Sequence, residues 1–411
     1  AALDRSGQSI SAFLQPGNYF EAGLSVLDAD VSGTTKANYP NAALPLLSNT
    51  SVGEMADSYQ FAHAALKLQL ADQLSFGLIY DQPFGAKATY STDTAKLPAA
   101  LPGAAAALQG QGAFHNGTQG TSVEVETQNL SMILGFQPNK NLNFYAGPVY
   151  QTVKGNIQLR GTAYGGSATF GGYNADIKET GDIGWLAGAA YQIPEIALKA
   201  SVTYRSENNH EFATIERGQS NVLALVGQSP IYDVDTSTKL STPQSVNLDF
   251  QTGVMANTEA FANLRWVNWK EFSIRPEQFG AVSETLGLAG AAPNNPNGFD
   301  LVGGYTDDQI SATVGVGRKL NEQWAGNVSV GWDSGTGNPV STLGPTEGYW
   351  NVGLGVQYSP APNYFIAGGV KYFMLGDAKA QVASDFGSDS YIAEFEDNDA
   401  WAYGLKIGYR F

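Results

Sequence analysis

The sequence predicts an all-β fold, a transmembrane antiparallel β-barrel of 14 strands, and three observations carry that expectation. The first is the end of the chain, where Trp401, Tyr403, Leu405, Ile407, Tyr409 and Phe411 alternate with Ala400, Ala402, Gly404, Lys406, Gly408 and Arg410. One face of such a strand suits hydrocarbon and the other a crowded or wet interior. A soluble sheet uses the same alternation with the apolar face inward, so one strand decides nothing. The second observation is recurrence: Trp350, Val352, Leu354, Val356 and Tyr358 repeat the pattern, as do Leu198, Ala200, Val202 and Tyr204, and Trp324, Val328, Val330 and Trp332. The third is that short and long connections take turns along the chain.

In order, strands are expected near 19–32, 57–70, 74–91, 120–137, 142–161, 181–192, 196–216, 242–254, 260–275, 303–318, 324–334, 347–358, 364–382 and 396–411. Short connections rich in Pro, Asn and Asp fall at 71–73, 138–141, 193–195, 255–259, 319–323 and 359–363, each a turn signal. Long ones occupy 33–56, 92–119, 162–180, 217–241, 276–302, 335–346 and 383–395. Both termini then lie on the short-turn side. In bacterial outer-membrane barrels short turns face the periplasm and long loops the exterior, so the expected location is the outer membrane with periplasmic termini. Aromatic pairs at strand ends, such as Trp185 with Tyr191 and Trp401 with Tyr409, mark the two membrane interfaces.

Composition narrows the function. The 411 residues show no linker or shift in composition and read as one large domain, 19–411, after a short leading segment, 1–18. The mean hydropathy of -0.18 and the lack of any apolar run near eighteen residues exclude membrane-spanning helices, a test that strands escape. The formal net charge of -16 argues against a nucleic-acid partner, whose phosphates it would repel. Acidic residues in stretches such as 385–399 read as a solvated surface, and no metal site is assigned. The chain opens Ala1, Ala2, Leu3, Asp4 without a basic and then apolar leader, so an export signal is expected to have been removed already.

Catalytic chemistry is sparse. His63, His115 and His210 are far apart, form no metal-ligand spacing and suggest no triad; no phosphate-binding loop stands in a strand-to-helix context, and no cofactor is expected. By parity the interior face gathers a polar network of Glu21, Lys67, Lys199, Arg205, Glu207, Arg265, Lys371 and Arg410, in which both signs can pair across the lumen. One strand breaks the pattern. After Leu74, Phe76, Leu78 and Tyr80 come Gln82, Pro83, Phe84 and Gly85, where pairing should fail because Pro has no N–H and Gly admits unusual dihedrals. Unpaired backbone in a bilayer is costly, so this segment must face protein, water or a permeant molecule.

These residues resemble the FadL and TodX family of outer-membrane transporters for long-chain fatty acids and aromatic hydrocarbons. The resemblance rests on Asn18 to Gly23 running to Asp30, Val31, Ser32 and Gly33; on Phe76 and Gly77 through Pro83, Phe84 and Gly85; on Thr203, Tyr204, Arg205, Ser206 and Glu207; on Trp266, Val267, Asn268 and Trp269 before Phe272; and on the closing Tyr409, Arg410 and Phe411. It covers nearly the whole chain. It implies a hatch inside the lumen, an inward kink in the third strand that opens the wall, an apolar groove among the outer loops, and sideways release into the membrane. Gln82, Pro83, Phe84 and Gly85 match the kink by position. The hatch here is short and lacks the family's Asn-Pro-Ala motif, leaving Leu3, Ile10, Phe13 and Leu14 as a reduced apolar plug.

The expected partner is a hydrophobic small molecule or fatty acid, handled by a monomer set among outer-membrane lipid and lipopolysaccharide. Apolar loop residues Leu97, Leu101, Leu108, Phe114, Val222, Leu223, Leu225 and Val226 are candidates for the groove, with Arg160 for a carboxylate. The rival reading is a water-filled porin for small polar or charged solutes, favoured by the mixed-sign lumen.

Overall fold

Fourteen antiparallel staves close on themselves in the computed structural model, which describes residues 3–411. They are β1 (Tyr19–Asp30), β2 (Tyr59–Ala71), β3 (Leu74–Asp81 and Gly85–Thr89), β4 (Ser122–Asn139), β5 (Leu142–Gln158), β6 (Asn174–Ile193) and β7 (Leu198–Arg205 and Asn208–Gln219). The circle continues through β8 (Ile231–Thr242 and Ser245–Met255), β9 (Thr258–Val267), β10 (Gln309–Lys319), β11 (Trp324–Asp333), β12 (Tyr349–Ala361), β13 (Tyr364–Leu375) and β14 (Asp399–Arg410). Closure comes where β1 pairs with β2 on one side and with β14 on the other, in unbroken register from Tyr19 opposite Arg410 to Asp30 opposite Asp399. Closure pairs the staves all round and, away from one stretch between β2 and β3, leaves no lipid-facing edge with orphaned N–H and C=O groups. Among the described residues no helix is long and apolar enough to cross a membrane.

The outer wall is apolar because alternate side chains point away from the lumen: Leu405, Leu354 and Leu134 are all exposed, whereas their neighbours face inward. Rings gather in two belts. Trp332 and Trp350, Tyr372 and Trp401, and Trp185 and Tyr204 pair at one level; Trp324 with Tyr358 and Tyr409 with Phe411 pair at the other. Trp401 and Tyr409 lie on one strand, about 26 Å apart along it at a rise of about 3.3 Å per residue, which suits a tilted strand crossing a bilayer.

Strand limits depart from the sequence expectation mainly at the long-loop end. Two strands start earlier than expected, β6 at Asn174 rather than 181 and the outer half of β8 at Ile231 rather than 242. Strand β9 stops at Val267, because Trp269–Glu271 turns and α1 (Glu277–Leu288) follows. More consequentially, three staves are interrupted, not one. Besides the break in β3, β7 is broken at Ser206 and Glu207 and β8 at Pro243 and Gln244. Each break inverts which residues face inward: Arg205 is buried but so is Asn208, and Glu207 is exposed on the outer wall. Parity carried across the break had placed Glu207 in the lumen, and the structure corrects that.

Residues 3–18 run inside the barrel. Phe13 stacks edge-on against Tyr145 and fits over Gly77 and Gly135, where any side chain would collide with its ring. Ile10 and Phe13 are buried with Tyr19, Ile79, Ile133 and Leu186, and Leu14 packs at the margin, its carbonyl accepting a hydrogen bond from Lys199. Residues 1 and 2 of the leading segment lie outside the described residues. At the long-loop end a five-stranded sheet, formed by Ser32–Thr35, Ser51–Glu54, Val340–Ser341, Ala378–Gln381 and Ala393–Phe395, gathers three connections over the lumen, where the larger apolar cluster lies.

Candidate functional site

The break in β3 is a built feature with its backbone groups accounted for. Pro83 has no N–H to lose, and its carbonyl accepts the N–H groups of Arg5 at 2.8 Å and Ser6 at 3.3 Å. The Phe84 N–H donates to Thr127 Oγ1 at 2.9 Å, and the same hydroxyl donates back to the Phe84 carbonyl at 2.7 Å. The Gly85 N–H donates to the Leu3 carbonyl at 2.9 Å. The leading segment thus pairs with the kink from inside, bridging Asp4 to Phe84 in antiparallel fashion.

On its other side β3 parts from β2. The ladder ends at Tyr80 opposite Ala64; beyond it the Gln82 side chain accepts the Ala62 N–H at 2.9 Å. Main-chain contact resumes where the Asp57 N–H donates to Lys87 at 3.1 Å. Between these fastenings, Tyr59 to Phe61 faces Pro83 to Ala86 without a ladder, leaving a window in the wall. The Tyr59 hydroxyl lies across Gly85 so closely that a β-carbon there would overlap it.

Behind the window is a cavity of about 240 Å³. Residues from both sides of the window line it, Tyr59 and Phe61 from β2 and Ala86, Lys87 and Ala88 from β3, with Val123, Val125, Ile274, Val302 and Leu343 supplying apolar wall. Leu3, Asp4 and Arg5 also line it. Asp4 is tied to Arg265 by two hydrogen bonds of 2.8 and 3.0 Å and to Gln309 at 2.9 Å. Burial works to raise the Asp4 carboxyl, but the charge and hydrogen bonds of Arg265 outweigh it and hold the group below the ordinary carboxylate value. Arg5 lies 5.8 Å from the centre of the Tyr59 ring, with Tyr305 and Tyr349 close to its charge.

A second cavity of about 230 Å³ lies among the long connections, walled by Tyr164, Phe170, Phe279, Leu286, Leu301 and Val382. Ser341 and Leu343 line both cavities, so this short segment is their common wall. Thr342 between them is pinned twice: Tyr90 donates to its carbonyl at 2.6 Å, and its hydroxyl meets that of Tyr164 at 2.8 Å. Phe279 belongs to α1, whose first turn is held by the buried carboxylate of Glu216. That group accepts the N–H groups of Gln278 and Phe279 at 2.7 and 2.8 Å and the hydroxyls of Tyr173 and Thr236 at 2.6 Å. A carboxylate at a helix N-terminus satisfies orphan donors and meets the positive end of the helix dipole.

The sequence-derived site residues fall into distinct groups. Gln82, Pro83, Phe84 and Gly85 form the kink. Of the plug candidates, Leu3 lines the deep cavity, while Ile10, Phe13 and Leu14 pack against the inner wall below it. None of the groove candidates lines either cavity: Leu97, Phe114 and Leu223 are buried in the outer apolar cluster, Leu101, Leu108 and Val222 pack against it, and Leu225 and Val226 are exposed. Arg160 is buried too, committed to Gln119 and to the carbonyls of Leu159 and Tyr173. In the lumen Glu21 binds His63 and Tyr19, Lys67 binds Gln69, Arg410 binds Gln15, and Lys371 lies beside Gly353. Arg205 reaches Ser131 near Asp81.

Sequence reasoning missed Asp4, Arg5, Tyr59, Tyr305, Tyr349, the 341–343 wall and Glu216. A signal existed for Asp4 and Arg5, the two charged side chains of an otherwise uncharged leader; the tyrosines offered none, because lone rings recur throughout the chain.

The family model for outer membrane protein transport proteins (OMPP1/FadL/TodX) matches residues 106–411. The chain belongs to this family. Its members are transport channels of the outer membrane for hydrophobic compounds, and that is the setting in which the cavities and window are to be read. Among solved structures the family fold recurs in a Pseudomonas aeruginosa FadL homologue (15% identity, 96% of this chain and 91% of that one, TM-score 0.70). It recurs also in the Pseudomonas putida toluene transporter TodX (13%, 99% and 92%, 0.64) and the Ralstonia pickettii toluene transporter TbuX (11%, 98% and 91%, 0.58). At such identities these likenesses show the fold alone. No curated protein matches the chain.

Proposed function

We propose that the protein admits a hydrophobic molecule passively, from the groove among the long connections to the deep cavity, and releases it sideways through the β2–β3 window into the bilayer. The observation that carries this reading is that one cavity is lined by residues on both sides of the window. In this reading the long connections face outward, the termini are periplasmic, the molecule works as a monomer among outer-membrane lipid and lipopolysaccharide, and residues 3–18 act as a hatch. Sideways release has a thermodynamic reason: cargo discharged into the periplasm would be rehydrated at about 25 cal/mol per Å² of apolar surface. Delivery into hydrocarbon avoids that cost.

The experiment is uptake by vesicles carrying the Pro83→Val variant, which restores a donor and a strand-favouring residue at the break without setting a β-carbon against the Tyr59 hydroxyl at Gly85. Uptake of an apolar probe should fall at least tenfold with the barrel still folded; unchanged uptake sinks the lateral route. The porin reading has one observation in its favour, a wide mouth of about 770 Å³ at the short-turn end, lined in part by Glu195, Arg318 and Gln357. Single-channel recording separates the two, since a porin carries a steady large ionic current and a lateral channel stoppered by its own leader does not.

A further inference from the structure

We infer that the wall has a second opening, between β6 and β7, that is polar and one water molecule wide and hydrates the buried charges Arg205 and Asp81 on the inner side of the β3 kink.

Pairing is the first argument. The β6–β7 ladder runs from Ile193 opposite Leu198 to Leu186 opposite Arg205 and resumes only at Ile177 opposite Thr214, so 178–185 and 206–213 face each other without a ladder pair. At the end of this stretch nearer the bilayer the Ser206 N–H donates to the Trp185 carbonyl and the Trp185 N–H to Ser206 Oγ, both at 2.9 Å. Beyond them Asn208 lies over Gly184, where a β-carbon would overlap its amide oxygen. On the other flank β7 and β8 skip two residues each at the same level, since Arg205 pairs with Ser245 and the next pair is Asn208 with Thr242. The space opened by the two irregularities is a pocket of about 10 Å³. It touches Trp185, which is 53% exposed on the outer wall, and also Phe84 of the kink and Gln8 of the leader, both buried inside. A volume of that size holds one water.

The chemistry of the lining is the second. Arg205 is 4% exposed and donates to Ser131 Oγ at 3.3 Å, while its Nε and Nη2 have no hydrogen-bond partner among the described residues. Asp81, equally buried and near enough for the two charges to act on each other, accepts from Ser6 through Oδ2 and has no partner at Oδ1. Buried polar atoms are satisfied by protein or by ordered water. Arg205 lines the pocket together with Asn129, Gln151, Asn208 and Thr242, which gives a water there the roughly three polar partners that buried water takes. The Asp81 carboxylate disfavours an anion as the occupant, and the amide-rich lining disfavours an apolar one.

Position is the third. Trp185 and Tyr204 stand in the ring belt on the long-loop side, and the unpaired stretch starts at Trp185 and runs away from the bilayer. Its outward residues Glu207, Asn209 and Glu211 are exposed, a rim for water and head groups and not for hydrocarbon. The run from Tyr204 to Glu207 thus supplies in turn a belt ring, the buried charge and the break in the stave.

The test reads hydrogen exchange of the Arg205 Nε–H with solvent by NMR of the full chain in detergent with isotope-labelled arginine. The Arg265 Nε–H, buried and bonded to Asp4, is the internal reference. Asn208→Leu keeps the size of the side chain and makes the opening apolar, and its folding is read from heat-modifiable migration on gels. Exchange at Arg205 should slow at least tenfold in the variant while exchange at Arg265 changes less than twofold; no change at Arg205, or equal slowing at both, overturns the inference. A high-resolution crystal structure of the native protein is a second measurement that needs no variant. Ordered water within hydrogen-bond distance of Arg205 Nε or Nη2 is expected, and a dry pocket or a bound anion there overturns the inference. Neither measurement involves cargo, so both stand whatever the uptake experiment returns.

Discussion

Asp4 and Arg265 form a two-pronged ion pair inside the barrel, with Arg265 Nη2 2.8 Å from Asp4 Oδ1, Nε 3.0 Å from Oδ2, and side chains 10% and 3% exposed respectively. The pair ties the leading segment to β9, across the lumen from the β3 kink that the same segment bridges. Gln8 reinforces it, receiving a hydrogen bond from Arg265 at 3.0 Å and another from Ser245 at 2.9 Å.

Arg265→Met should release this fastening. Removing one partner of a buried pair costs about 3–5 kcal/mol because the other charge is left uncompensated. Single-channel recording should show brief ionic openings that the native protein lacks, and thermal unfolding should begin earlier.

The same pair sets a pH dependence. A carboxyl held below its unfolded value contributes stability that is complete above that value, about 3.9, and is lost as pH falls through the lower folded-state value. Conductance recorded from pH 8 to pH 5 should therefore stay low and flat as far as Asp4 is concerned, with leakage arising only below about pH 4.

Thr127→Val should destabilise the kink selectively. It is nearly isosteric but leaves the Phe84 N–H without an acceptor and its carbonyl without a donor, a cost of about 1–3 kcal/mol for a buried group so orphaned. Thr127→Ser keeps the hydroxyl and should restore the native unfolding temperature; a loss in the Ser variant with none in the Val variant would mean that packing of the methyl, not the hydroxyl, matters.

Tyr59→Ala should widen the window, since the Tyr59 hydroxyl lies across Gly85. Uptake of a small apolar probe by vesicles should rise several-fold, and a fall would show that the ring guides cargo instead of obstructing it.

Glu216→Ala should loosen α1 without disturbing the wall. Two helix N–H groups and two hydroxyls lose their acceptor. Hydrogen exchange at Gln278 and Phe279 should quicken at least tenfold while exchange along β14 stays slow.

The barrel was legible because lipid forces alternation on every stave: β14 can be read from Trp401 to Phe411 with no knowledge of its neighbours. The β3 kink was legible for the complementary reason, since Pro83 cannot donate to a ladder. The breaks in β7 and β8 were harder to see, and Ser206–Glu207 carries neither Pro nor Gly; its consequence, the outward turn of Glu207, follows from geometry that composition does not encode. The cavity residues were illegible for a third reason. Apolar loop residues such as Leu97 and Phe114 fill the cluster that supports the site, while the cavity lies where Leu3, Tyr59, Tyr305 and Leu343, far apart in sequence, converge. Proximity of that kind is set by barrel closure and not by any local pattern.

The backbone bonds from Leu3 and Arg5 to the β3 kink carry a consequence for assembly. Their partners Pro83 and Gly85 are on the third stave, and Asp4 finds Arg265 only on the ninth. The segment that precedes the first stave is therefore seated only after most of the wall that receives it has been laid down. Until then the broken stave has bare donors and acceptors on its inner side, so the nascent barrel passes through a stage that is closed in outline and still adhesive within. Whatever holds the leader away from the membrane surface during that interval governs how cleanly the molecule matures.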